Sequence, residues 1–284
     1  MSLTRINTGA DSLVALNGLR KINFSLSTAL ERISSGLRIN KAADDPTGVG
    51  TLNTAKAQLG GIRAAQMNLE QTYSMLSQAD GALASVGEAL VKMKELAIKG
   101  ANDATLTSAQ IASLGNEYND LATLIDNIGA NTKFGEKGLL DGTGDLGDAT
   151  IQVGADSADN MSGLDLIGLG AATALDFEEL SGTAATAFVD ASEALTELGL
   201  VDLAVTQLGA LRANVGQYMN LLSNNLEHQM AMEVNVASSV STIGDADLAA
   251  EISNMARDSI LAQSATAALM QSNIQSQIVL KLLQ

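Results

Sequence analysis

Residues 61–100 read GIRAAQMNLEQTYSMLSQADGALASVGEALVKMKELAIKG, and within them Ile62, Leu69, Leu76, Leu83, Leu90 and Ala97 recur at strict intervals of seven. A second column, Ala65, Thr72, Ala79, Val86 and Met93, runs beside the first. Apolar positions that alternate by three and four stack along one face of a helix, and a sustained heptad is the seam of helices lying side by side. The spacing predicts one helix from about Pro46 to Lys99, about 80 Å long at 1.5 Å per residue. Pro46 is the single proline of the chain and falls in the first turn, where its missing N–H costs nothing. Asp44 or Asp45 then supplies the cap.

The same pattern extends in both directions. Upstream, Leu16, Leu30 and Leu37 form a column interrupted by Asn23, beside Leu19, Leu26 and Ile33. Downstream of a break at Gly100–Asp103, a shorter helix carries Ile111, Leu114, Tyr118, Leu121, Ile125 and Ile128. Late in the chain the heptad returns as Val201, Leu208, Val215, Leu222, Gln229, Val236 and Ile243, with a partner column that includes Arg212 and Glu233. The last segment holds Leu248, Met255, Ala262, Leu269, Ser276 and Leu283 at sevens, and is apolar on other faces through Ile260, Leu261, Ile274 and Ile278. A helix with more than one apolar face needs more than one neighbour.

Composition agrees with long helices. Hydrophobic residues make up 46% of the 284, but aromatics only 2%, and Trp is absent, so aliphatic side chains must form the core. Sixteen basic residues against 32 acidic give a net charge of −16, which argues against nucleic acid as a partner, because phosphate binding needs a basic face. No cysteine is present, so disulfides, thiolate metal sites and thiol nucleophiles are ruled out. The opening MSLTRINTGADSL lacks the basic-then-apolar layout of a cleaved signal, and no run of 18 apolar residues predicts a membrane span.

The middle is of another kind. From Gly138 to Leu211 there are thirteen acidic residues and no Lys or Arg, with frequent glycine. Ala149–Val153 and Met161–Ile167 read as the strands of a hairpin in a solvent-facing tip. Catalytic patterns are missing: His228 has no second histidine to work with, and Gly48-Val49-Gly50 follows no strand. Asp141, Thr143 and Asp145 resemble the start of a calcium loop, but Leu146 stands where the turn glycine belongs and Gln152 where the bidentate Glu should be. No cofactor or metal is expected.

The stretch Glu31-Arg-Ile-Ser-Ser-Gly-Leu-Arg-Ile-Asn40, followed by Lys41-Ala-Ala-Asp-Asp-Pro-Thr-Gly48, resembles the N-terminal motif of bacterial flagellin. The resemblance continues through Lys94–Ala97, Leu139–Gly142 and Ile151–Ala155, and resumes from Asp245–Asp247 to Val279–Leu283. It implies a mainly α fold: a long coiled-coil-like helical bundle with the N- and C-terminal helices paired, plus a small β-hairpin region in the middle. On this reading residues 1–44 and 244–284 form an inner-tube coiled coil, 45–140 and 188–243 a helical bundle, and 141–187 an acidic glycine-rich outer region.

The expected function is structural: the subunit of the flagellar filament, a head-to-tail helical homopolymer. Terminal helices with continuous apolar seams have little to bury them in one chain, so Leu16, Leu19, Leu26, Leu30, Ile33 and Leu37, with Leu269, Ile274, Ile278, Leu280 and Leu283, are expected to carry contacts between subunits. Asn23, Arg212 and Glu233, which interrupt apolar columns, are read as polar contacts between subunits. The resemblance further implies type III export without a cleaved signal, an export chaperone on the C-terminal segment, cap and hook-associated proteins as partners, and an extracellular location. It also implies recognition by the flagellin-sensing toll-like receptor through Lys92, Leu96 and Glu117, weakened because Lys lacks arginine's planar fork. Ser157, Ser162, Ser181, Thr183 and Thr186 are candidate O-glycosylation positions by family habit. A hook–filament junction protein and a secreted acidic calcium-binding protein using Asp141, Asp145 and Asp148 stand as alternatives.

Overall fold

The computed structural model describes residues 10–140, 150–156, 160–161 and 188–282. Among them are the helices α1 (Ala10–Ser35), α2 (Pro46–Gly100), α3 (Ser108–Asn131), α4 (Ala191–Gly244) and α5 (Leu248–Leu282). Two short antiparallel pairs accompany them: β1 (Lys133–Phe134) with β2 (Lys137–Gly138), and β3 (Ile151–Gln152) with β4 (Asn160–Met161). The mainly α expectation holds. The chain divides into two compact units, Met1–Ala57 with Asn235–Gln284, and Gln58–Val234.

The core of Gln58–Val234 is the seam read from the sequence. Ile62, Leu69, Leu76, Leu83, Leu90 and Ala97 are all buried, and Ala65, Ala79, Val86 and Met93 are buried beside them. Helix α4 contributes Val201, Leu208, Leu211, Val215 and Leu222, and α3 contributes Ile111, Tyr118, Ala122 and Ile125, in one continuous cluster. Each large aliphatic residue removed from water in this way stabilises the fold by about 1.5–3 kcal/mol. By length and composition α4 could cross a membrane, with an 18-residue window of mean hydropathy 1.3. Its heptad column of Val201, Leu208, Val215 and Leu222 instead lies in the core of this unit.

Two of the charged residues that interrupt α4's columns are used inside the chain, which corrects the expectation that they mark contacts between subunits. Arg212 donates to both carboxylate oxygens of Asp80, at 2.8 and 3.3 Å. Glu233 accepts from Arg63 at 2.7 Å and from Gln66 at 3.1 Å, and these bonds hold its carboxyl below the usual range. The reason is local: α2 presents the complementary group opposite each. Solvent-screened pairs of this kind contribute less than one buried leucine, so they align α2 and α4 rather than drive their association. Asn23 is exposed on α1.

Gln229, the polar member of the other α4 column, is buried and donates from Nε2 to the Val153 carbonyl at 2.6 Å, tying the end of β3 to α4. The β3–β4 hairpin pairs Ile151 with Met161 and Gln152 with Asn160, so the expected strands exist but are shorter in the described residues. The β1–β2 hairpin was not expected. Its two-residue loop starts with Gly135 at φ 64, the positive value that a tight hairpin turn requires at its first loop position. Asp141, Asp145 and Asp148 and the five candidate glycosylation positions lie outside the described residues.

Among the described residues of this core, the one buried hydrogen-bonded acid is Glu197. Tyr118 donates to Glu197 at 2.8 Å, its ring meets Phe188 edge-on at 5.6 Å, and Phe188 fills the space over Gly100. Burial pushes the Glu197 carboxyl above its ordinary value, against the lowering by the Tyr118 hydrogen bond, and the charge of Glu193 adds to the rise.

Two outcomes follow from this cluster. A carboxyl raised on folding contributes full stability below its unfolded value and loses it as pH rises through the folded one. Glu197→Gln should therefore raise the melting temperature at neutral pH and flatten its decline above the ordinary carboxylate range, in thermal scans across pH. A methyl at position 100 would run into the Phe188 ring. Gly100→Ala should cost about 1–3 kcal/mol in denaturant unfolding, whereas Gly81→Ala, in open space on the same helix, should gain about 0.5–1 kcal/mol.

Candidate assembly interface

In the unit that joins the two chain ends, α1 and α5 pack against each other. Their order is antiparallel. Ser25 donates to Asp258 at 2.5 Å, Arg32 donates to Glu251 at 2.9 Å, and Leu37 forms a β-bridge with Asp245. The stretch from Glu31 to Gly48 explains how the pair is held.

Helix α1 stops because Gly36 takes φ 72, which a side chain disfavours, and its N–H closes on the Arg32 carbonyl at 2.8 Å. The turned backbone then meets the α4–α5 junction: Arg38 N donates to Gly244 O at 2.8 Å, and Ala246 N donates to Gly36 O at 2.9 Å. The Arg38 guanidinium adds a bond to Ile243 O at 2.7 Å. The two Arg38 bonds serve carbonyls at the end of α4 that no intrahelical N–H reaches, and the Ala246 bond serves that of Gly36 just past the end of α1. Ser35 Oγ accepts from Leu37 N at 3.2 Å, which tightens the turn.

The remaining polar residues of the motif fold the link into α2. Glu31 accepts from Asn40 and Lys41 at 2.7 and 2.6 Å. Asp44 accepts the backbone N–H groups of Lys41 and Asn40, which hold its carboxyl below the usual value. Asp45 caps α2: its Oδ1 accepts from Thr47 N at 3.1 Å and Gly48 N at 2.8 Å, with Pro46 in the first helical position. Asp247 caps α5 in the same way through Ala249 N and Ala250 N.

The expected interface residues are placed as follows. On α1, Leu16, Leu19, Leu26, Ile33 and Leu37 are half-buried and Leu30 is half exposed; the fully buried position is Ala29. On α5, Leu269 is half-buried and Ile274 exposed. The side chains of Ile278 and Leu280, and Leu283 altogether, lie outside the described residues. Beyond these, large apolar side chains stand uncovered on several faces: Phe24 is 76% exposed, Val14 72%, Ile260 63% and Met270 68%.

In the other unit, Lys92 and Glu117 are exposed, but Leu96 is buried in the core at 6% exposure. It cannot serve as a surface contact beside them, because it follows Met93 by three and precedes Ala97, on the face α2 turns inward. His228 is exposed, and among the described residues no group of His, Asp and Glu is placed to hold a metal.

The chain matches two family descriptions, "Bacterial flagellin N-terminal helical region" over residues 6–145 and "Bacterial flagellin C-terminal helical region" over residues 198–283. It is 32% identical to the flagellin of Bacillus subtilis (strain 168), across 98% of this chain and 99% of that one. The chain belongs to the bacterial flagellins.

A second flagellin, from Halalkalibacterium halodurans, is also 32% identical over 96% of this chain and 98% of its own. A flagellar filament 31.3 kDa core protein of Treponema maltophilum is 26% identical over 98% and 99%. Among solved structures, the crystal structure of Bacillus cereus flagellin aligns with 57% of this chain and 88% of that one, at 30% identity and a TM-score of 0.47. The two family regions and the full-length flagellin relatives show that this flagellin is a structural subunit of the flagellar filament, not an enzyme, and nothing favours the junction-protein or calcium-binding alternatives.

The link from α1 to α2 rests on charged acceptors, which gives its stability a pH direction. Asp44 and Glu31 are held low, Asp44 by backbone N–H groups and Glu31 by Lys41. Their contribution is complete above the ordinary carboxylate range and is lost as pH falls through the lowered values, so acid should loosen this link, seen as rising protease cleavage between residues 36 and 47. Asp45→Ala should cost about 1 kcal/mol in thermal unfolding and Asp45→Asn close to nothing.

Proposed function

We infer that this flagellin polymerises through α1 and α5, and that residues 1–44 with 244–284 line the inner tube while 45–140 with 188–243 form the layer outside it. The observation that carries this reading is the apolar surface left open on both helices. Leu13, Val14, Phe24 and Leu30 on α1, and Leu248, Ile252, Ile260, Leu261, Met270 and Ile274 on α5, are all at least 44% exposed. Large apolar side chains left open in such number along two paired helices support an interface. Copies of the chain are the partners that bury it.

Charge supports the same division. The unit containing both ends has nine basic residues against eight acidic, whereas Gln58–Val234 has seven against twenty-four. A nearly neutral surface can be packed closely against copies of itself without the repulsion that a strongly acidic one would bring. Leu16, Leu19, Leu26, Ile33, Leu37 and Leu269, half covered within one chain, complete their burial between chains on this reading, together with Leu30, Ile274, Ile278, Leu280 and Leu283.

The remaining roles follow from the family. The chain is exported unfolded by the type III apparatus without a cleaved signal, its C-terminal segment held by the export chaperone, and it joins a filament bounded by the cap and hook-associated proteins outside the cell. Recognition by the toll-like receptor falls on Lys92 and Glu117, with Leu96 acting through the packing beneath.

Removal of residues 245–284 from the full chain, followed by seeding and negative-stain imaging, tests the reading. Long uniform tubes from the intact chain and none from the shortened one are expected, with the melting transition of Gln58–Val234 kept. Tubes of normal length from the shortened chain would overturn it.

A further inference from the structure

Two polar contacts between α1 and α5 among the described residues share a spacing. Ser25–Asp258 and Arg32–Glu251 are separated by seven residues on each helix, in opposite directions, so they are successive rungs of one antiparallel heptad ladder. The acid of the first rung is buried: Asp258 is 6% exposed, and among the described residues the Ser25 hydroxyl at 2.5 Å and the Arg257 guanidinium at 3.9 Å are the polar groups that approach it. Most covered positions of α5 among the described residues recur in the same heptad, at Glu251, Met255, Asp258, Ala262, Ala265, Leu269 and Ser272, with Asn254 and Ser259 beside them.

A seam that repeats every seven residues invites slippage by seven, since each apolar residue would meet another apolar residue. Here the rungs set Ala15, Ile22 and Ala29 of α1 level with Leu269, Ala262 and Met255 of α5, small opposite large at each step. One heptad of slip in one direction puts Ile22 level with Leu269 and Ala29 with Ala262, and leaves Glu251 level with Ile39. In the other direction Ile22 meets Met255, Ala15 meets Ala262, and the buried Asp258 faces Gly18. The first slip keeps one ion pair, Arg32 with Asp258, but crowds one layer and empties the next. The second strands a buried carboxylate, which costs several kcal/mol.

We propose that Ser25–Asp258 and Arg32–Glu251 set the register of the α1–α5 pair, excluding heptad-slipped pairings in which apolar residues still meet apolar residues, though in mismatched layers. A polar residue in a heptad seam is the recurrent way to specify register at some cost in stability. For a helical polymer this selects a single offset between the two helices of every copy, and so a single geometry for the surface each copy presents to the next.

The chain has no cysteine, so paired cysteines report the register without background. Ala29→Cys with Met255→Cys reads the native offset. Ile22→Cys with Met255→Cys and Ala29→Cys with Ala262→Cys read the two slips. The slip pairs stand about 10 Å out of level in the native register, too far for a disulfide. Each pair is introduced into the full chain, oxidised before and after seeding, and located by mass spectrometry.

In the parent only the native pair should close. With Asp258→Leu and Glu251→Leu together, the slip pairs should rise from background to yields comparable with the native pair. The exchange Arg32→Glu with Glu251→Arg should return native-only closure. Should the double-leucine chain stay unassembled, Asp258→Leu alone carries the same comparison. Slip pairs closing in the parent, native-only closure in the leucine variants, or slip in the exchanged chain each overturn the proposal. The proposal rests on the assembly reading only for the choice of filaments as a sample. Filaments formed without residues 245–284 would sink that reading, and the cross-link pattern of the intact chain would still decide this one.

Discussion

Everything in this flagellin follows from apolar surface arranged on helices too long and too many-sided for one chain to cover. In Gln58–Val234 much of it is buried internally: the columns of α2 and α4 meet with α3 in one core that Tyr118 and Phe188 close, although Met67, Val91, Leu195 and Leu203 stay exposed. In the unit that joins the two chain ends it is not. The single contact of α1 with α5 covers Ala29 and half-covers the leucines, and leaves Phe24, Ile260 and Met270 in water. The contrast between a unit with a large buried core and one in which only Ala29, Ile39 and Leu52 are buried apolar residues, among those described, is the physical basis of a protein whose function is to polymerise.

The link between the two helices of the unit that joins the chain ends is made from backbone. The bonds of Gly36 and Arg38 to Gly244 and Ala246 use groups that every residue carries, and the side chains around them cap, brace or turn. This accounts for the character of the stretch from Glu31 to Gly48. Glu31, Ser35, Arg38, Asn40, Lys41, Asp44 and Asp45 each satisfy a named donor or acceptor, and Gly36 supplies the one left-handed residue the turn needs.

How much of this the sequence shows depends on whether a feature repeats. The seam from Ile62 to Ala97 and the α4 column through Val201, Leu208, Val215 and Leu222 are legible because burial has a period, and the capping of α2 is legible because Asp and Pro have positional meaning. The β-bridge of Leu37 with Asp245 is not, since pairing over such a separation through main-chain atoms leaves no side-chain pattern. Arg212 and Glu233 look like interruptions from one helix alone; only α2 shows that Asp80 and Arg63 answer them. The inward position of Leu96 was readable from its spacing to Met93 and was obscured by resemblance to a surface motif. The Ser25–Asp258 rung sits among exposed serines of α1 and gains meaning only from its partner.

Amide hydrogen exchange tests the central claim most directly, because it reads the protection of each helix separately in free chain and filament. The account predicts strong protection of residues 58–131 and 191–234 in both states, with residues 10–35 and 248–282 exchanging fast in the free chain and slowly in the filament. Equal protection of α1 and α5 in the two states would mean that one chain already satisfies them, and would contradict it.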